Sequence, residues 1–262
     1  MIKIFGTAVS SILLFFLIMG NTNADSHSQI TLEEVDKKAE TMLTYIENNQ
    51  AEEAKHIYNW ISEHLPAVPF QQYHLNTDQV SALLSAGSQA EAAVTSASME
   101  APERINNVLA FRLSIDAAIS KEHPIWKEAE KPLVELLEKA EQELDSGNVN
   151  SARQSFQQWQ RQFEIIRSSI YIGVPEETYL PFLSHIRYMD QEDAWLETGG
   201  SNELTKLKTE MVKLFQEKKQ SSADPALWTV ILLIGCSLLL ALGYAGWKKY
   251  KAEKARQRMR ND

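Results

Sequence analysis

The sequence predicts an all-α protein, an antiparallel bundle of helical hairpins followed by one transmembrane helix near the C-terminus. Apolar residues recur at helical spacing from residue 31 to residue 215. The same stretch contains no run of alternating β-branched residues bounded by Asn-Gly or similar turns. An uncharged stretch long enough to cross a bilayer follows at residues 226–247.

Residues 1–24 have the layout of a secretory signal peptide. Lys3 and the free amine supply positive charge, residues 4–19 carry no charge, and Thr22 and Ala24 are small residues at the −3 and −1 positions of a cleavage site. As a helix, the uncharged stretch would span only ~24 Å, which is shorter than the ~30 Å hydrocarbon core. We interpret the segment as a cleaved signal peptide, and a retained N-terminal anchor is the alternative.

The first half of the predicted helical domain, residues 25–225, contains four amphipathic helices. Thr31 and Glu34 have the spacing of a capping box that begins the first helix. Prolines interrupt the segment 64–74, and Pro102 fits the first position of a later helix. The apolar faces of these helices comprise Val35, Ala39, Met42, Leu43 and Ile46; Ala54, Ile57, Tyr58, Ile61 and Leu65; Val80, Leu83, Leu84, Gly87 and Val94; and Ile105, Val108 and Leu109.

The second half also contains about four helices. Pro124 is suited to a helix start, Pro132 predicts a kink or a late start, and Gly147 is placed to end that helix in a left-handed conformation. The most regular apolar face of the chain comes next, with alternating spacings of three and four residues typical of a coiled-coil seam: Val149, Ala152, Phe156, Trp159, Phe163, Ile166 and Ile170. Gly173 and Pro175 end it, and a flexible joint is expected at Gly199-Gly200.

An offset of 98 residues aligns the two halves, residues 25–122 and 123–220. It places Ala54 on Ala152 and Tyr58 on Phe156, and further along it places Leu84 on Phe182. One interpretation is an internal duplication of a four-helix unit. The alternative is that amphipathic helices of similar length align with one another without common origin.

The stretch Ala226–Trp247 predicts a membrane span, since its 22 uncharged residues reach ~33 Å as a helix. Seven basic residues follow in the tail 248–262, so the positive-inside rule predicts a cytoplasmic C-terminus and an extracytoplasmic helical domain. The cations expected to contact anionic lipid headgroups of the inner leaflet are Lys248, Lys249, Lys251 and Lys254. Small residues at Ser237, Ala241 and Ala245 form a small-xxx-small pattern of the kind found in helix dimers, so a homodimer is one possible assembly.

The helical domain is strongly acidic. Of the 26 basic and 35 acidic residues of the chain, 18 and 33 lie between Asp25 and Pro225, which gives this part a formal charge of −15. Such a surface disfavours nucleic acid as a partner. It is typical of a well-solvated helical surface, and attraction to a cationic partner or to divalent ions is the alternative. The domain contains no cysteine, because the one cysteine, Cys236, lies in the predicted span.

The sequence carries no motif of a catalytic, cofactor or metal site. It contains no Gly-x-Ser-x-Gly elbow, dinucleotide fingerprint, phosphate loop or His-Glu-x-x-His pair. We therefore predict a protein that is not an enzyme and that binds neither cofactor nor metal. One apolar face remains as a candidate, and it is either core or a groove that binds a partner: Phe156, Trp159, Phe163 and Ile166.

The whole arrangement resembles the YpjB family of sporulation proteins from endospore-forming Bacilli. The strings FRLSIDAA (111–118), HPIW (123–126) and SFQQWQRQFEIIRSSI (155–170) carry the resemblance, together with the leader, the span and the basic tail. The resemblance implies a protein of the mother-cell membrane during spore formation, of undefined biochemical activity and without assigned catalytic residues.

Two functional hypotheses are compatible with these features. The first is a single-pass, non-enzymatic protein whose acidic helical domain binds another exported or membrane protein. The second is a single-pass sensor that binds a ligand outside the cell and signals through a cytoplasmic partner.

Overall fold

The computed structural model describes residues 30–120, 122–191, 193–196 and 200–217. The chain divides into two units between Glu217 and Lys218, and the described residues belong to the first unit. Outside them lie the predicted signal peptide 1–24, the predicted span 226–247 and the basic tail, including its candidate lipid contacts Lys248, Lys249, Lys251 and Lys254. Within the described ranges, no helix is both long enough and apolar enough to cross a membrane.

The described residues form a helical bundle without strands, which confirms the predicted all-α class. The α-helices of this part are α1 Leu32–Glu47, α2 Ala51–His64, α3 Thr77–Thr95, α4 Ala101–Ile119, α5 Glu130–Asp145, α6 Val149–Gly173, α7 Glu176–Gln191 and α8 Gly200–Gln216. Short 3₁₀ helices lie between them at Leu65–Ala67, Phe70–Tyr73, Ile125–Ala129 and Asp193–Leu196.

The helices pack as two groups of four that meet along α4 and α6. In the first group α1 packs against α2 and α4, and α3 packs against α2 and α4. In the second group α5 packs against α6 and α8, and α7 packs chiefly against α8. The contact of α4 with α6, supplemented by α3 with α6, joins the two groups around one continuous apolar core.

Local sequence signals account for the helix boundaries. The Thr31 hydroxyl accepts from the backbone N–H of Glu34, whose side chain accepts in return from Thr31 N–H, so the predicted capping box is present. Pro132 lies in the first turn of α5, where its missing N–H has no intrahelical partner to lose, and α5 accordingly begins late, at Glu130. Gly147 ends α5 with φ +76°, as predicted.

The four-helix groups correspond in chain position. An offset of 98 residues carries both ends of α1 onto α5 and the start of α2 onto the start of α6, and an offset of 99 carries the starts of α3 and α4 onto those of α7 and α8. The turns after α1 and α5 correspond as well. Asn49 and Gly147 both have positive φ, and each turn has the paired hydrogen bonds of a Schellman motif.

Two details predicted from the sequence are wrong, one in the alignment of the halves and one in the buried seam of α6. Leu84 is 45% exposed whereas Phe182 is 1% exposed, so the two do not occupy equivalent positions. The extra residue before α7 makes Leu83, which is fully buried, the counterpart of Phe182. Val149, predicted as the first residue of the buried seam, is 37% exposed because it lies at the very start of α6.

Candidate functional site

A cleft of about 690 Å³ lies where the two helical groups meet. One wall is the N-terminal part of α4, the opposite wall is the middle of α6, and the 3₁₀ helix Ile125–Ala129 forms the third side. We call it the α4–α6 cleft.

The floor of the cleft is apolar. Its larger side chains come from all three walls: Leu109, Leu113, Ile125, Trp126, Ile165 and Ile166. Trp126, Leu113 and Ile166 are buried core residues whose edges reach the cleft, and the others are half-buried. An accessible apolar floor that is continuous with the core offers a surface from which a bound apolar group would displace water.

The 3₁₀ wall is held rigidly by neighbouring helices. The Trp126 ring packs on Phe215 of α8 with ring centroids 5.1 Å apart. A Cβ atom at Gly173 would lie 3.3 Å from the Trp126 indole nitrogen, so the small residue permits this close approach of α6. The buried Asp116 carboxylate accepts from the backbone N–H of Ile125 at 2.6 Å. The orientation of the tryptophan is therefore set before anything binds.

The rim of the cleft is polar and nearly neutral. Asn106, Gln158 and Gln162 provide amide groups, while Glu128 and Arg161 provide one charge of each sign. Arg161 is exposed and forms no ion pair or hydrogen bond with any residue that the structure describes. The rim thus offers hydrogen-bonding groups and one cation that is available to a bound molecule.

The two arginines of α4, Arg104 and Arg112, are occupied by structural contacts. Arg104 donates to the backbone carbonyls of Met99, Ala93 and Ser96 and so caps the C-terminal end of α3. Arg112 pairs with Glu40 at 2.8 Å and lies 3.9 Å from Asp36. Arg161 is distinguished from both by its exposure at the cleft.

Two charged clusters lie elsewhere in the bundle. Burial raises the pKa of Asp36; the Arg112 guanidinium opposes this rise, whereas the nearby carboxylates of Asp116 and Glu40 reinforce it. In the second group, each ring nitrogen of the buried His185 lies 2.9 Å from a carboxylate oxygen, Nδ1 from Glu210 and Nε2 from Glu203. Both clusters connect helices within one group and lie apart from the cleft lining.

The aromatic face predicted from sequence lies in the core. Phe156, Trp159 and Phe163 are 3%, 0% and 3% exposed, and their rings stack in succession along α6 with nearly parallel planes. Ile166 is 2% exposed and contributes an edge to the cleft floor. Within the described bundle, three of the four residues thus pack inward and one reaches the cleft.

The edge of α6 that lines the cleft lies beside the buried seam, and the sequence pattern did not predict it. Its residues are Gln158, Arg161, Gln162 and Ile165. One sequence feature could have indicated this edge. Ile165, next to the seam residue Ile166, is apolar but does not fit the spacing of three and four residues that defines the seam. Nothing in the sequence indicated that Leu109 of α4 lies across from it.

The lining of the cleft is chiefly apolar and carries two charged side chains. Glu128 and Arg161 are the ionisable residues among the described residues that line the cleft, and no histidine, cysteine or second carboxylate stands beside them there. Across the described ranges, no group of three or more His, Cys, Asp or Glu side chains is arranged to hold a metal ion. The cleft combines apolar contact area with a few polar groups that can orient a ligand or a peptide.

The described residues define a helical-bundle protein with an open, largely apolar cleft between its two helical groups. The family model described as sporulation protein YpjB matches residues 32–259, and the chain belongs to this family. It is 24% identical over 253 residues to the uncharacterized protein YpjB of Bacillus subtilis (strain 168), covering 95% of this chain and 96% of that protein. No solved structure matches the chain. The family label associates the chain with sporulation and assigns it no biochemical activity.

Proposed function

We propose that this chain is a membrane-anchored, non-enzymatic sporulation protein whose helical domain binds another exported or membrane protein through the α4–α6 cleft. The observation that carries the proposal is the cleft itself. Its floor is apolar, its wall is preorganised around Trp126, and its rim presents amides and one available cation. These are the parts of a recognition surface, namely an apolar centre surrounded by polar groups.

Membrane anchoring rests on the sequence. The uncharged stretch at 226–247 and the basic tail after it favour a single span with a cytoplasmic C-terminus. The family match runs through this stretch as far as residue 259. In this topology the domain that carries the cleft would be extracytoplasmic, where it could contact exported proteins.

Two measurements on sporulating cells test the proposal. Membrane fractions should retain the full-length chain in high salt and release it in detergent, because an integral span resists removal by ionic strength. Chemical crosslinking followed by mass spectrometry should capture one membrane or exported protein reproducibly. Release of the chain by salt, or the absence of a reproducible partner, would contradict the proposal.

The second candidate function is a sensor that binds a small ligand, and the size of the cleft favours it. A volume of about 690 Å³ lies within the range of ~300–1,000 Å³ typical of small-molecule sites. Native mass spectrometry of the purified full-length chain distinguishes the two functions. A bound small molecule of constant mass supports the sensor, and a ligand-free chain with a crosslinked protein partner supports the interaction protein.

A further inference from the structure

The α4–α6 cleft has the shape of a groove between two helices. Its α4 wall consists of Pro102, Asn106, Leu109 and Leu113, with spacings of four, three and four residues. Its α6 wall consists of Gln158, Arg161, Gln162, Ile165 and Ile166, which also form one helical stripe. From Asn106 to Leu113 the groove extends ~10 Å along α4, which is about two helical turns.

We propose that the occupant of this groove is a short amphipathic helix of a membrane-bound partner, seated with its apolar stripe on the cleft floor and with an Asp or Glu paired to Arg161. This inference rests on the function proposed above. An apolar stripe at positions i, i+3, i+4 and i+7 of the occupant would pack between the stripes of α4 and α6 and complete a three-helix layer.

The charges around the groove specify the chemistry of that helix. Arg161 is exposed on the α6 rim without a partner among the described residues, so a carboxylate placed there gains an ion pair. Glu128 lies on the 3₁₀ wall of the same groove and disfavours a carboxylate at that side. The domain as a whole is acidic, which repels a segment with a run of acidic residues. The occupant therefore carries an isolated acidic residue, and the two rim charges set its orientation.

The point at which the chain leaves the bundle favours a partner at the membrane. The Lys127 ammonium, on the 3₁₀ wall of the groove, donates to the backbone carbonyl of Glu217 at 2.7 Å. Eight residues, 218–225, then precede the predicted span. The predicted span therefore begins nine positions after a residue that contacts this wall of the groove. This short separation along the chain favours a partner that is itself in the membrane.

Site-specific photocrosslinking in sporulating cells tests the proposal with the full-length chain. The variant Gln158→p-benzoylphenylalanine places the crosslinker on the exposed rim of the groove. After irradiation, mass spectrometry should identify one crosslinked peptide, from a membrane protein, whose sequence has an apolar helical stripe and an Asp or Glu beside it. The variant Thr209→p-benzoylphenylalanine, on the exposed side of α8, should not capture this peptide.

Charge reversal then tests the role of Arg161. Arg161→Glu should reduce the crosslinking yield about tenfold or more, because like charges would face each other in the groove. Arg187→Glu is the matched control, since Arg187 is also exposed on a helix and the charge change is the same. It should leave the yield unchanged. Changing the acidic residue of the captured peptide to Lys should restore capture by the Arg161→Glu variant.

The outcomes separate the two proposals. Capture of a lipid or a small molecule at position 158, or of a peptide whose yield does not depend on Arg161, would overturn the amphipathic helix. The same conclusion follows if chemical crosslinking of the whole chain captures a membrane protein while position 158 captures nothing, and in that case the proposed interaction function stands. If neither method captures a protein, both proposals fail.

Discussion

The two four-helix groups, α1–α4 and α5–α8, share their helix order but differ in how the second helix continues. α2 ends at His64, and Pro66 and Pro69 place 3₁₀ turns and an extended residue after it. α6 has no proline and runs without interruption to Gly173. Because proline lacks a backbone N–H and its ring collides with the preceding turn, the first group cannot extend this helix.

This difference supplies the α6 wall of the cleft that lies between the two groups. At an offset of 98, Ile165 and Ile166 of the cleft floor correspond to Ala67 and Val68, which lie in and after the first 3₁₀ turn. Because α6 continues through these positions, Ile165 and Ile166 lie opposite α4 and form a wall of the cleft. α2 ends before the corresponding positions and provides no such wall. The wall that α6 provides thus depends on a helix that runs past this point without interruption.

The interiors of the two groups differ as well. Corresponding seam positions hold Tyr58, Ile61 and Leu65 in the first group and Phe156, Trp159 and Phe163 in the second. In the first group, a small residue on α3 allows a close approach of α4. A Cβ atom at Gly87 of α3 would lie 3.2 Å from the Phe111 ring of α4. The second group therefore depends on aromatic side chains to fill the volume between its helices.

The largest losses in the free energy of unfolding are expected for Trp159 and for its counterpart Ile61, which are 0% and 1% exposed. Trp159→Ala should lower the free energy of unfolding by ~3–5 kcal/mol, because it removes an indole stacked between two phenylalanines. Ile61→Ala should cost ~2–4 kcal/mol. Urea unfolding of the purified full-length chain, followed by circular dichroism, measures both. If Trp159→Ala retains normal stability, the aromatic face is not core and the contrast between the groups is lost.

The next prediction compares the charged clusters of the two groups, around His185 in the second group and around Arg112 in the first. His185→Ala should destabilise the chain by ~2 kcal/mol, since it removes the buried ring whose two nitrogens contact Glu203 and Glu210. Arg112→Ala should cost about 1 kcal/mol, because its side chain is 19% exposed, against 7% for His185, and water replaces part of the contact. Thermal unfolding measures both. The exposed pair of Lys131 supplies the control, and Lys131→Ala should change stability by less than ~0.5 kcal/mol.

Substitutions in the two Schellman turns should change stability by smaller amounts and in opposite directions. Gly147→Ala should destabilise by ~1 kcal/mol, because φ is +76° and no atom within 4 Å would contact the new Cβ, so backbone strain is the whole cost. Asn49→Gly should be neutral or stabilising by a few tenths of a kcal/mol, since glycine adopts its φ of 57° without strain. Denaturation midpoints measure both changes. Stabilisation by Gly147→Ala would show that the two turns are not alike.

An effect that is small at neutral pH and grows at alkaline pH is expected at Tyr58, the counterpart of Phe156. Burial, with the nearby carboxylate of Glu91, raises the pKa of Tyr58 to about 12. The folded state therefore keeps the phenol proton more strongly than the unfolded state, and this contribution to stability is complete below pH 10 and is lost as the pH rises towards 12. Tyr58→Phe should change stability by less than ~1 kcal/mol at pH 7 and should reduce the decline between pH 10 and 12. If the Tyr58→Phe variant loses stability between pH 10 and 12 as much as the unsubstituted chain does, the proposed contribution of the Tyr58 phenol is wrong.

Sequence by itself determined the class of the fold and several of the helix ends. The Thr31 capping box, the proline at the start of α4, the late start of α5 and the left-handed Gly147 were all predicted from their residues and are present. These features depend on backbone geometry and on hydrogen bonds within four or five residues, so the local sequence contains the information that specifies them.

Tertiary structure decided the register of the second group and the position of the candidate site. Leu84 and Phe182 were aligned by sequence, yet one is exposed and the other is buried, because an added residue before α7 rotates every later side chain by one position. The α4–α6 cleft unites segments that lie up to 64 positions apart, from Pro102 to Ile166. Helical periodicity states which face of a helix is apolar; only the packing of helices against one another decides which of those faces remains open to a partner.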